Sequence, residues 1–376
     1  MIVRRKNFVA GRVKRLRQLM VEHSLDGLLV TDPAEVFYLT GFSGDDSILV
    51  LTNQQKVLVT DSRYVEQVRQ ECPSLAMKVR QGAMDEAVGQ VVNAVMKKRH
   101  RTGKTKHAGK IGIDPQTVTL SQYRRLQRVL GRTLQESKGL VGELRLRKDS
   151  FEINQILRAV RVAEGSMKAL LGEIRLGQSE RDLVGRLEYQ MSQRCSDKPA
   201  FDTIAAFGGH AAQPHARPGN NRLRKGQTIL FDWGATVGGY RSDLTRCWAA
   251  GKIPPIFAEA YQRVLEAQHA AIERVKPGVL LTEVDEAARK IFKRSRWMYQ
   301  HGTGHGLGMK VHEEPVISRQ SQGQLQEGMV VTIEPGWYQA GKFGIRIEDD
   351  VLVTTRGARV LSCLAKELES VRLWQG

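Results

Sequence analysis

One unit occurs twice in the C-terminal part of this chain, and that duplication limits its fold more than any other feature, because repeated supersecondary units bury their apolar faces against one another. The first copy opens Ser179-Glu180-Arg181-Asp182, continues to Leu223-Arg224-Lys225-Gly226, and then runs as an apolar strand into Asp232-Trp233-Gly234. The second opens Thr282-Glu283-Val284-Asp285, continues to Leu325-Gln326-Glu327-Gly328, and runs into Glu334-Pro335-Gly336. From helix start to strand carboxylate is 53 residues in one copy and 52 in the other. The hydroxyl and early acids at each start suit a helix N-terminus, where they meet free backbone donors and the positive end of the dipole.

Each of those carboxylates lies in an apolar run, QTILFDWG or MVVTIEPG. An unpaired charge is costly to bury there, so a partner is required. A second acid follows each: Asp243 comes 11 residues after Asp232, and Glu348 comes 14 after Glu334. Hairpins bring each pair together, and pseudo-twofold packing of the copies brings the pairs together, which makes a cation site. Oxygen ligands suit Mn²⁺, Mg²⁺ or Ca²⁺, while a histidine shifts the preference toward Mn²⁺, Co²⁺, Fe²⁺ or Zn²⁺. HGTGHGLGMKVHEEP, from position 301, offers His301, His305 and His312. Its four glycines disfavour a helix, so extended or looping backbone is expected. HExxH, GxSxG and GxGxxG are all absent from the region, which removes zincin, serine-hydrolase and dinucleotide readings.

A chain of 376 residues is expected to form two domains. Up to residue 144, short apolar runs (DGLLVT, SILVLT, KVLVT) alternate with amphipathic helices, the pattern of an α/β layer. Asp61 and Ser62 start the helix RYVEQVRQ, and the next helix, EAVGQVVNAVM, is expected to end where a basic run begins. From Ile153 to Ile174 apolar residues keep steps of three and four, with Gly177 as the stop, so the domain boundary is expected near 145.

The basic run, 97–110, holds seven Lys or Arg and no acid, and supplies over a third of the formal net charge of +18. It reads as an exposed loop rather than a nucleic-acid patch, for it lacks interleaved aromatics. A P-loop at Gly103-Lys104-Thr105 needs glycine at 98, which is Lys98. Cys72, Cys195, Cys247 and Cys363 form no CxxC pair and are expected to be reduced. Without a long apolar stretch or a signal-like start, no membrane span and a cytoplasmic address are expected.

Taken together, FDWGA, YRSDLTR, HGTGHGLG, TIEPG and RIEDD resemble the pita-bread metallopeptidases, the family of methionine aminopeptidases, aminopeptidase P, prolidase and metal-free creatinase. YLTGFSG at 38–44 and TDSRY at 60–64 resemble the creatinase-type N-terminal domain of the proline-directed members. The resemblance implies an α/β N-terminal domain over 1–144 and an α+β pita-bread catalytic domain with a pseudo-twofold internal repeat over 145–376. It implies two divalent metal ions, Mn²⁺ first with Co²⁺ or Zn²⁺ as alternatives. Asp232 chelates one ion, Asp243 and Glu348 bridge the pair, and His305 with Glu334 completes the other shell. His215, His301 and His312, with Arg346 beside the last ligand, fall on the family's accessory catalytic positions, and Glu334 doubles as a proton carrier. FGGHAAQPH at 207–215 departs from the run usual in relatives, which bears on the substrate pocket. The implied activity is hydrolysis of Xaa-Pro bonds at peptide N-termini or in dipeptides, by a homodimer. The alternative is a non-catalytic scaffold binding peptide or, through the basic loop, nucleic acid. Such scaffolds typically lose metal ligands, whereas this chain keeps all five.

Overall fold

The computed structural model describes residues 2–101, 109–293 and 301–373, with the backbone alone for 2–6 and 97–101. The chain divides into two compact units, Met1–Arg145 and Leu146–Gly376. None of the described helices is long and apolar enough to cross a membrane.

The first unit is built on a six-stranded mixed sheet. Its strand order is Ala76–Val79, Lys56–Thr60, Ser47–Thr52, Gly27–Val30, Ile111–Ile113 and Gln135–Glu136. The central strands read as unbroken apolar runs because both faces are buried. Leu29, Val50, Val59, Ile111 and Ile113 share one core with Val88, Val92 and Met96 of helix Met84–Arg101 and Leu126 and Leu130 of helix Leu120–Leu130. Alternate residues Leu28, Leu49, Leu51 and Leu58 are buried as well and face the other way. Asp61 caps the turn that leads into helix Val65–Glu71, its carboxylate accepting from Arg63 N–H at 2.8 Å. The helix expected to stop before the basic run instead continues into it, to Arg101. Lys and Arg are good helix formers, so their charge alone does not end a helix. Residues 102–108 of the run lie outside the described residues.

The second unit repeats one motif, two helices followed by three antiparallel strands. Helices Ser150–Glu173 and Glu180–Gln193 precede a sheet ordered Leu244–Ala249, Thr228–Trp233, Ile204–Phe207. Helices Pro255–Arg274 and Leu281–Lys293 precede a sheet in which Asp349–Thr354, Val330–Ile333 and Gly304–Gly306 stand in the corresponding order, flanked by Gly357–Val360 and Glu313–Ile317. The turns before the second helices match bond for bond. Gly177 N–H donates to Leu223 O and Gly278 N–H to Leu325 O, each at 2.8 Å, and both glycines have φ of 86°, a value that strongly favours glycine. The long first helix accordingly ends at Glu173, ahead of Gly177, which lies in the turn that follows.

The helix starts correspond differently from their sequence match. Ser179 is the N-cap of its helix, in a capping box with Asp182. In the other half the backbone N–H of Leu280 meets Glu283 Oε1 at 3.4 Å, and the helix begins at Leu281. Leu280, not Thr282, therefore stands opposite Ser179. Asp285 falls inside the helix, buried, and its carboxylate pairs with Arg289 at 2.6 Å and accepts from the Thr303 hydroxyl at 2.6 Å. Its side chain is a packing strut, not a cap.

Candidate metal centre

Both halves deliver acids at the ends of paired strands. Asp232 is the next-to-last residue of Thr228–Trp233, opposite Thr245, and Asp243 immediately precedes Leu244–Ala249. Glu334 directly follows Val330–Ile333, and Glu348 immediately precedes Asp349–Thr354. A short hairpin intervenes in each half, Ala235–Val237 with Tyr240–Arg241 in one and Gly336–Gln339 with Phe343–Arg346 in the other. The halves join at the acids themselves. Thr245 and Glu348 form an antiparallel bridge, in which Glu348 N–H donates to Thr245 O at 3.2 Å and the Thr245 hydroxyl donates to Glu348 Oε2 at 2.6 Å.

The glycines of HGTGHGLG have a steric reason. His305 sits in the strand Gly304–Gly306, where a Cβ on Gly304 would overlap the Thr332 carbonyl and one on Gly306 would overlap the Glu314 carbonyl. Only glycine lets the neighbouring backbones close on either side of the histidine. The backbone is extended there, as expected.

Asp243, His305 and Glu348 each offer a ligand atom within 4.8 Å of the others. His305 Nε2 lies 3.3 Å from Glu334 Oε1 and 3.7 Å from Asp243 Oδ2. Its Nδ1 faces the carbonyl of Gly306 at 3.1 Å, so Nδ1–H donates to backbone and Nε2 is turned to the acids. Asp232 is held by Arg346, while its Oδ1 is buried with no hydrogen-bond partner among the described residues. Arg346 also donates to Thr245 Oγ1 at 3.0 Å and to the Tyr338 hydroxyl at 2.8 Å.

The electrostatics are those of a cation site. Burial, then the charges of Glu348 and Asp232, push the Asp243 carboxyl well above its ordinary value. Burial, then Glu334 and Asp232, do the same to Glu348. Burial also raises Glu334, but the hydrogen bond and charge of His305 overcome it and hold that carboxyl down at about 2. Burial lowers His305, and Glu334 more than reverses it. Buried acids that repel one another around an imidazole nitrogen favour a cation among them, and a donor set of four carboxylates and one imidazole fits a divalent ion.

The remaining predicted residues line this centre at different depths. His301 is largely buried; its Nδ1 donates to Gly302 O at 2.8 Å, so its Nε2 accepts from the Tyr338 hydroxyl at 3.3 Å. Burial pushes His301 down, in keeping with a neutral ring. His312 is exposed, its ring 4.4 Å from that of His305 at 76°. His215 is exposed in the segment whose Pro214 carbonyl accepts from Arg346 at 3.3 Å.

Several contributors gave little sign in the sequence. Thr245 lies two residues beyond Asp243, and strand alternation could have placed it on the same face. Tyr338 and Asp350, whose Oδ2 accepts from Asp243 N–H at 3.1 Å, carried no such signal. Neither did Arg246, which is buried and donates to the carbonyls of Thr245, Glu348 and Leu364 and to Asp349 Oδ1 at 2.6 Å.

Comparison with known proteins agrees with this architecture. Residues 154–355 match the model of metallopeptidase family M24, and residues 12–147 match that of the creatinase/prolidase N-terminal domain. An Xaa-Pro dipeptidase of Pyrococcus furiosus is 33% identical over 362 residues, spanning 95% of this chain and 99% of the relative. Among solved structures, an Xaa-Pro dipeptidase from Bacillus anthracis superposes with a TM-score of 0.87 at 31% identity, covering 96% of this chain and 99% of that one. An X-Pro aminopeptidase from Thermotoga maritima gives 0.85 at 32%, covering 95% and 99%.

Proposed function

This chain belongs to metallopeptidase family M24, and from that premise we propose that it hydrolyses Xaa-Pro bonds, at the N-terminus of a peptide or in a dipeptide. The observation that supports this most directly is the buried convergence of Asp243, His305 and Glu348, in a chain that also carries the creatinase/prolidase N-terminal domain. The same reading assigns residues 1–144 to that domain and 145–376 to the catalytic one. The scaffold alternative is not favoured, since every donor the chemistry needs is present.

In this reading Asp232, Asp243, His305, Glu334 and Glu348 would hold two divalent ions. Mn²⁺ is proposed first, because mixed oxygen and imidazole donors suit it, with Co²⁺ and Zn²⁺ as substitutes. When bound, the ions supply Lewis acidity toward the scissile carbonyl and lower the pKa of a water. The protein's own groups do the rest. His312 and His215, at the exposed edge, donate to the carbonyl oxygen as charge develops on it. Glu334 carries the proton to the proline nitrogen, which has no hydrogen of its own before the bond breaks. Arg346 orients Asp232, and Tyr338 and His301 brace Arg346. A cytoplasmic homodimer is part of the proposal, on family resemblance.

A panel of Xaa-Pro dipeptides, longer peptides with proline second, and proline-free controls, assayed with Mn²⁺, Co²⁺ and Zn²⁺, tests the reading. Ion-dependent cleavage on the amino side of proline is expected. Faster turnover of the proline-free controls at full ion occupancy would overturn the proline assignment.

A further inference from the structure

We infer that the buried ion pair between Lys148 and Glu313 is a positioning device for His312, an inference that rests on the proposed peptidase function. The Lys148 side chain is 1% exposed and its Nζ stands 3.4 Å from Glu313 Oε2. Among the described residues Nζ has no hydrogen-bond partner. The other carboxylate oxygen of Glu313 accepts from the backbone N–H groups of Met309 and Lys310, both at 2.9 Å. Those bonds close the turn from Gly308 to Glu313. Gly308 leaves room for the carboxylate to fold back, since a Cβ there would stand 2.6 Å from Glu313 Oε2. His312 is the residue just before Glu313, with its ring against His305.

The carboxylate-to-backbone bonds define the turn, but without a cation beside the buried carboxylate they open more often. Burying the lysine strips two charges of water, and such a pair adds little stability over apolar packing of the same volume. What Lys148 adds is a distant reference point. Its backbone N–H donates to Gly328 O at 2.7 Å, at the turn leading into strand Val330–Ile333, and Glu334 follows that strand directly. The pair therefore fixes the His312 turn to the same frame that carries Glu334. A donor and a proton carrier acting on one scissile bond need that mutual placement.

The test uses the full chain with Lys148→Met and the double variant Lys148→Met/Glu313→Gln, which removes both charges and folds if the single variant does not. Amide hydrogen exchange of the ion-free proteins reads the turn directly, whatever the substrate. Met309 and Lys310 should exchange roughly tenfold faster in Lys148→Met than in wild type. With ions and an Xaa-Pro substrate, kcat should fall roughly tenfold with KM and ion content unchanged. That fall should vanish in a His312→Ala background, because Lys148 acts only through that ring. Unchanged exchange at 309–310, or an equal fall in kcat with and without His312, would overturn the inference. Wild type inactive on every Xaa-Pro substrate, with the exchange result intact, would instead overturn the proposed function.

Discussion

The rings of His305 and His312 stand nearly perpendicular with centroids 4.4 Å apart, so one wall of the centre carries a proposed metal ligand and a proposed substrate donor side by side. Although His312 lies at the exposed edge, partial desolvation of its ring, then the neighbouring His305, pushes it below its ordinary value, which keeps the ring neutral and able to donate near pH 7.

His312→Ala should therefore lower kcat and kcat/KM together by about 10²–10³-fold, with KM little changed, as for loss of a donor that acts on developing charge. Steady-state kinetics on an Xaa-Pro substrate at saturating ion measures this. A rise in KM at constant kcat would assign His312 to substrate binding instead.

Asp243→Asn should abolish hydrolysis and release bound ions while the fold persists, because this acid would serve the proposed ions while the strand after it is held by backbone pairing with Thr228–Trp233 that the substitution leaves in place. Metal analysis, circular dichroism and turnover are the three readouts. Activity surviving in an ion-free Asp243→Asn protein would remove the two-ion hypothesis.

Without ions, the same acid is a burden whose size depends on pH. A carboxyl raised on folding is neutral in both states below about pH 4 and costs nothing there. As pH rises past the unfolded value, the unfolded chain ionises while the folded group resists, so the fold loses stability up to the raised folded pKa. Ion-free Asp243→Asn should thus gain on ion-free wild type progressively from about pH 4 toward neutrality. Excess divalent ion, which binds the ionised form, should reverse the order at pH 7. Denaturant midpoints of both proteins across that range decide it, and a difference independent of pH would refute the argument.

Arg246→Met should destabilise the protein by about 3–5 kcal/mol, the usual result of leaving a buried charge without its partner. Asp349 would lose one of its two cations, the one at 2.6 Å, and the carbonyls of Thr245 and Glu348 would lose a common donor. Weaker ion binding should accompany the lower urea midpoint. A change under about 1 kcal/mol would show that Lys366, 2.5 Å from Asp349 on its other side, suffices alone.

The acids of the centre were legible in the sequence because a carboxylate in an apolar run, as Asp232 and Glu334 are, has few physical explanations, and a second acid following each at repeat-related positions leaves fewer. Gly304 and Gly306 betrayed a non-helical His305 for a comparable reason, since nothing larger fits between those strands. Long-range partners were not legible. Tyr338 meets His301 across 37 positions, and Lys148 meets Glu313 across a far longer stretch of chain, through contacts that only the folded topology creates. Local pattern also misled where two readings compete. Thr282-Glu283 looks like a cap, yet Leu280 occupies that place, and the lysines after Met96 extend a helix where a loop was expected.

The bridge between Thr245 and Glu348 has a consequence for how this molecule can fail. Asp232 and Asp243 come from one half of the repeat and His305, Glu334 and Glu348 from the other, so neither half owns a complete set of donors. An ion bound there would be a rivet across a seam, and its grip would report the alignment of the two halves rather than the integrity of either. Damage that lets the seam slip should then show first as a leaking ion, before a helix or strand has been lost.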